Sequence, residues 1–179
     1  MKTNQNSQIV YLDATVGGGG SCQSTSNTAM CVAPGTRITL FPDGCAFAGD
    51  IQVGDLLLTR DEQGAFAGEK VVRVAESVQP CAAIETENGK RMVCSLTHEV
   101  MISSGEGALA VRRRVSELTI ADSMLLEDGT RVAIHSIAPM PAGPVVQISL
   151  AGPHHVYLTD GIWSHNKTIP PWPPWGITP

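Results

Sequence analysis

The sequence predicts an all-β domain with little helix, and three observations predict it. Short runs of β-branched or alternating apolar and polar residues recur between turn signals along most of the chain. Asn88-Gly89 stands between two such runs, and this dipeptide suits the two-residue hairpin whose central positions both need positive φ. Helical signal is confined to one short segment, and no strand–helix–strand alternation or fixed-period repeat occurs.

Taken in order, the run 36–41 leads into the turn Pro42-Asp43-Gly44, and 56–59 precedes Asp61-Glu62-Gln63-Gly64. Runs follow at 71–74, at 82–87 before Asn88-Gly89, at 91–95 and at 99–102. Further on, 124–126 precedes Asp128-Gly129, then come 131–137, 145–150 and 156–158 before Asp160-Gly161. Between these groups, 116–121 suggests one helical turn with Ser116 as its N-cap. Arg112-Arg113-Arg114 reads as a charged, solvated strand edge that discourages edge-to-edge pairing.

The flanks differ from this middle. Residues 1–30 hold Gly17-Gly18-Gly19-Gly20 and a Ser/Thr/Asn-rich run, which bury too little apolar area to offset ordering entropy; this segment is expected to be flexible, with a weak strand at 9–12. Residues 167–179 contain Pro170-Pro171-Trp172-Pro173-Pro174-Trp175, where missing amide donors and fixed φ favour an extended, polyproline-like tail. The expected division is therefore flank 1–30, folded domain 31–166 and flank 167–179.

Composition narrows the function classes. The 179 residues are 42% hydrophobic and 16% charged, enough for one core. A net charge of -5 gives no global attraction to a phosphate backbone, so nucleic acid is not an expected partner. No apolar run reaches the roughly 18 residues that span a bilayer, and the polar start Met1-Lys2-Thr3-Asn4-Gln5 is unlike a signal peptide. The expectation is a soluble, cytoplasmic monomer with no membrane partner. The cysteines number 5, without a Cys-x-x-Cys pair, so reduced thiols are expected rather than a disulfide framework or zinc ribbon. Cys45, Cys81 and Cys94 read as small core residues. Cys22, in the flank, would silence Cys31 if oxidation joined the two.

Three places could carry chemistry. At the end of the folded part, the carboxamide of Asn166 can attack its own backbone carbonyl and release Lys167, with His165 as a suitable proton donor. At its start, the Cys31 thiol could attack the carbonyl of Met30, although an ordinary thiol has a pKa of about 8.5 and needs help. Near its middle, Ser95-Leu96-Thr97-His98 supplies a hydroxyl and an imidazole three residues apart. Each alone has a bland reading: a surface turn, a buried small residue, a structural histidine.

Together, a cysteine that opens the domain, Ser-x-x-His in it and His-Asn at its end resemble the Hint superfamily, shared by inteins, bacterial intein-like domains and the autoprocessing domain of hedgehog proteins. Cys31-Val32-Ala33-Pro34-Gly35-Thr36-Arg37-Ile38 with Gly54-Asp55 resembles the family's first block. Cys94-Ser95-Leu96-Thr97-His98 resembles its second, and Val145-Val146-Gln147-Ile148-Ser149-Leu150 through His165-Asn166 resembles its last two. The resemblance implies a flattened, horseshoe-shaped all-β fold with pseudo-two-fold halves whose ends meet, and it leaves no room for an inserted endonuclease.

The same resemblance implies the roles. Cys31 would turn the Met30-Cys31 peptide bond into a thioester, His98 would protonate or strain the scissile nitrogen, and Ser95 would help hold the oxyanion. His165 would assist succinimide formation by Asn166. A further histidine belongs about ten residues earlier, where His154 and His155 compete; His154 is preferred. No metal or organic cofactor is required, and the substrate would be the chain's own flanks, with an external thiol or amine as second nucleophile.

Two departures bear on the outcome. A splicing intein carries Cys, Ser or Thr after the terminal asparagine, whereas this chain has Lys167, whose ammonium is a poor nucleophile at neutral pH. Gln147 stands where many inteins have a coupling aspartate. Both favour cleavage over splicing. The alternatives are splicing that joins the flanks, a cysteine hydrolase acting in trans through Cys31 and His98, and an inactive relic of the fold.

Overall fold

The computed structural model describes residues 30–60, 65–103 and 110–165. The weak strand at 9–12, Cys22, the turn 61–64, Asn166, Lys167 and the Pro/Trp tail lie outside the described residues.

The described residues form β1 (Arg37–Thr39), β2 (Cys45–Phe47), β3 (Leu56–Arg60), β4 (Phe66–Thr86), β5 (Arg91–Ser95), β6 (Glu99–Ser103), β7 (Val111–Arg114), β8 (Ser123–Leu125), β9 (Arg131–Leu150), β10 (Val156–Thr159) and β11 (Ile162–His165). All pairings are antiparallel, in the order β2-β1-β10-β11-β6-β8-β9-β4-β3, with β5 added to β4 and β7 to β6. The all-β expectation holds.

Turn chemistry explains why these strands return on themselves. Asp160 and Gly161 both have positive φ, 51° and 76°, and join β10 to β11 with Thr159 opposite Ile162. At Asn88-Gly89, Gly89 has φ 79° and its N–H donates to the Thr86 carbonyl, closing the β4–β5 hairpin.

The sequence runs 71–74 and 82–87 belong to one 21-residue strand, β4, and 131–137 and 145–150 to one 20-residue strand, β9. Pro139, Pro141 and Pro144 lie within β9 past Ala133, where its pairing with β8 has ended, so the missing proline amides cost that strand no bond to β8. β4 bends at register shifts between Val71 and Arg73, Gln79 and Cys81, and Glu85 and Thr86, which steers one strand through two faces of the domain.

One large core lies between these layers, built on Ile38, Leu57, Ile84, Met92, Ile102, Met124, Ile148 and Ile162, with Leu58, Leu158 and Trp163 beside it. Phe66 stacks on Trp163, centroids 6.4 Å apart.

Two expectations need correction. The helical turn is a 3-10 turn at Val115–Glu117 whose N-cap is Arg114, without a side-chain cap bond; Ser116 lies inside it because β7 runs on to Arg114. Cys45 is exposed at the start of β2, where Arg37 Nη2 donates to its sulfur at 3.1 Å, so it is not a core residue; Cys81 and Cys94 are buried as expected.

Candidate active site

Residues 31–33 run between β9 and β5. Val32 exchanges backbone bonds with Val146 at 3.1 and 2.8 Å, Ala33 N donates to Val93 O, and Ser95 N donates to Cys31 O at 2.9 Å. This ladder fixes the Cys31 backbone, whose N–H, the amide of the Met30–Cys31 peptide, donates to Ser95 Oγ at 3.2 Å.

The Cys31 side chain is fully buried against Cys81 and Val145. Gln79 Nε2 donates to its sulfur at 3.5 Å and to Ser77 Oγ at 3.0 Å. Burial pushes the thiol up to about 11, the Ser77 and Gln79 bonds oppose that rise, and Cys81 adds slightly to it. The resting Cys31 side chain is therefore a neutral thiol.

His98 closes the turn between β5 and β6: its N–H donates to Ser95 O at 3.0 Å and its carbonyl accepts from Val115 N at 2.8 Å. The buried ring shares a 3.0 Å bond between Nε2 and Ser164 Oγ, and Ser164 Oγ bonds in turn to Thr159 Oγ1. Nδ1 is buried without a partner. Burial, then proximity to His165, lowers its pKa to about 3.

His165 ends β11 opposite Glu99 on β6. Arg112 Nη1 lies 3.0 Å from its Nε2, and Glu99 Oε2 lies 3.5 Å from its Nδ1. The same carboxylate meets Arg112 at 3.9 Å and Arg114 at 3.7 Å. Burial, Arg112 and His155 together lower the His165 pKa to about 4.

The turn from Ser95 to Glu99 is thus touched from both ends of the domain. Cys31 reaches it through Ser95, Ser164 through His98 and His165 through Glu99. The structure brings together Cys31, Ser95, His98 and His165, with Met30 entering beside them. Asn166 and Lys167 lie outside the described residues.

Three details differ from the sequence expectation. Ser95 Oγ accepts from the Cys31 nitrogen, the place expected for His98, whose Nδ1 has no hydrogen-bond partner. His155, not the preferred His154, sets its ring edge-on to His165 at 6.2 Å. A glycine at 152 leaves room for the buried Glu69, whose Oε1 accepts the His154 N–H at 2.9 Å and pins that residue by its backbone.

Sequence reasoning missed Ser77, Gln79, Glu99 and Arg112. Gln79 lay between two expected runs, and Arg112 was hidden in a run read only as a solvated edge. Among the described residues, no group of three or more His, Cys, Asp or Glu is placed to hold a metal ion, and no helix is long and apolar enough to cross a membrane.

No protein-family model matches the sequence, and no curated protein matches it at a significant level. Solved structures do. The MchDnaB-1 intein is 26% identical, with a TM-score of 0.61 over 75% of this chain and 99% of that one. A DnaB intein from Synechocystis sp. PCC 6803 is 16% identical, with a TM-score of 0.65 over 77% and 99%. The gp41-1 intein is 22% identical, with a TM-score of 0.62 over 76% and 98%. This chain folds as a Hint/intein-like domain. Inteins of this size are spanned almost end to end, so the Hint/intein-like fold accounts for the described β-structure as a whole; its chemistry rests on the residues above.

Proposed function

We propose that this Hint/intein-like domain processes its own chain at two bonds. Cys31 Sγ attacks the Met30 carbonyl carbon, the C–N bond breaks, and the thiol proton passes to the released Cys31 amine, leaving a thioester. Water, an external thiol or an amine then takes the Met30 acyl group and returns the Cys31 thiol. Separately, the Asn166 carboxamide nitrogen attacks its own carbonyl, a proton moves to the departing Lys167 amine, and a succinimide remains.

The observation that carries this reading is the single turn contacted by both Cys31 and His165. Peptide bonds are inert, so catalysis here depends on positioned proton partners and proximity more than on raw nucleophilicity. Ser95 is the partner at the Cys31 nitrogen, and His98, buried and neutral, backs it. His165 and the adjacent His155 serve the asparagine step. The Lys167 side chain is a protonated, weakly nucleophilic ammonium at neutral pH, so cleavage exceeds ligation. The substrate is the chain's own flanks, and the reading needs no nucleic acid, membrane, cofactor or second subunit; its reduced thiols suit the cytoplasm.

Burial of Cys31 disfavours an ordinary cysteine hydrolase, because a fully enclosed sulfur offers no approach to an added peptide. Intact mass with and without dithiothreitol, beside Cys31→Ala and Asn166→Ala, tests the reading. Thiol-dependent loss of 1–30 that needs Cys31, and loss of 167–179 that needs Asn166, are expected. A joined product of both flanks would mean splicing, through the Lys167 α-amine of pKa about 7.7 to 8.0. An unchanged mass would mean a relic, and turnover of an added peptide would restore the hydrolase.

A further inference from the structure

The arginine run on β7 does more than guard an edge. A guanidinium carries only donors, so the 3.0 Å contact between Arg112 Nη1 and His165 Nε2 requires Nε2 to accept. The ring proton therefore sits on Nδ1, which lies 3.5 Å from Glu99 Oε2 but is buried without a hydrogen-bond partner. The ring's one lone pair, on Nε2, is taken by Arg112. A general base needs a free lone pair within reach of the proton it moves, and in this arrangement the guanidinium holds it.

We propose that Arg112 is a clamp on His165: it holds the ring neutral as the Nδ1–H tautomer, keeps Nε2 from the Asn166 peptide, and makes release of 167–179 wait until the guanidinium withdraws. This rests on the self-processing reading and adds regulation to it. Arg112 is a positioning residue, acting through His165.

The surroundings favour such a clamp. Among the described residues, Glu99 on β6 is the carboxylate at the ring, and it is shared with Arg112 and Arg114 on β7. His155 lies edge-on from the segment before β10, and His98 stands behind through Ser164. Burial and the adjacent Arg112 guanidinium disfavour an imidazolium, and the His165 pKa is depressed accordingly. The Arg112 side chain is 56% exposed, and among the described residues β7 pairs with β6, so the guanidinium can swing into water without unpairing a strand.

The test uses the full chain. In an Asn166→Ala background, which cannot release the tail, 15N-labelled His165 is expected as the Nδ1–H tautomer with a midpoint near that depressed value. Arg112→Gln should raise the midpoint by about one pH unit or more and mix the tautomers, because an adjacent cation has gone. In the cleavable chain, Arg112→Gln should speed release of 167–179 by about tenfold at pH 7, a change of the size expected when a general acid–base group is freed. Arg114→Gln, which removes a Glu99 partner that does not touch the ring, should stay near the parent rate. An unmoved midpoint and tautomer in Arg112→Gln overturns the clamp. So does equal or slower release in a variant that still cleaves at Met30 and is therefore folded. If neither chain releases the tail, the self-processing reading fails, and the titration alone decides the clamp.

Discussion

The two ends of the site are tuned by opposite means. Around Cys31, on β4, β5 and β9, the partners are neutral: Gln79, Ser77, Ser95, Cys81 and Val145. Around His165, on β6, β7 and β11, they are charged: Glu99, Arg112 and Arg114. Burial disfavours the ionised form at both ends; neutral dipoles relieve it at the thiol, whereas at the buried imidazole the charge of Arg112 adds to it. The turn from Ser95 to Glu99 joins the two regimes, with His98 between them.

Several measurements would break or sharpen this contrast. The largest expected effect is full separation of the steps. Cys31→Ala should abolish thiol-dependent cleavage at Met30 while 167–179 is still released, and Asn166→Ala should do the reverse; mass spectrometry showing both steps lost together would mean one coupled site.

His98→Ala comes next. Because its turn serves both ends, it should slow both steps, by roughly 100- to 10,000-fold at Met30. Rates followed on gels that fall at one bond only would assign His98 to one side.

Gln79→Leu should act on the cysteine side alone. It removes a donor that stabilises the thiolate, so the thiol midpoint should rise by about one unit, and with it cleavage at Met30 should slow by about tenfold near pH 8. In the parent, that rate should climb with pH toward the thiol value of about 11. A matching loss at the Asn166 bond would contradict the division.

The smallest effect is on stability. His98 and His165 titrate at about 3 and 4 when folded, against 6.5 in the ordinary state. The unfolded chain thus binds protons that the folded one refuses, so stability is greatest above pH 6.5 and falls as pH drops toward these values. Urea unfolding should show stability falling steadily between pH 7 and pH 4. His165→Gln should flatten part of that slope, and no change in slope would show that its ring is not held neutral.

Much of this was legible beforehand. Glycine-bearing turns and alternating runs located β1, β3, β5, β6, β8 and β10, and short-range signals placed Cys31, Ser95, His98 and His165. What was hidden depended on pairing. β11 read as a loop of site residues because its partners are β10 and β6, one of them distant in sequence. Gln79 gains its role from a register shift beside Cys81, and a bulge leaves no local signature in residue types. Glu69, which holds the His154 backbone, stands 85 positions from it, so no local signal could show how His154 and His155 are placed.

Strand order also sets a clock. β1 finds its inner neighbour in β10, and β6 finds one in β11, the last described strand. During synthesis the early strands lie exposed, and the Cys31 end has its turn long before the His165 end exists. Such long-range pairing is slow and comes late. Glu99 cannot pair with His165 until the ribosome has delivered β11, so, on the self-processing proposal, translation itself withholds the chemistry until β11 is made.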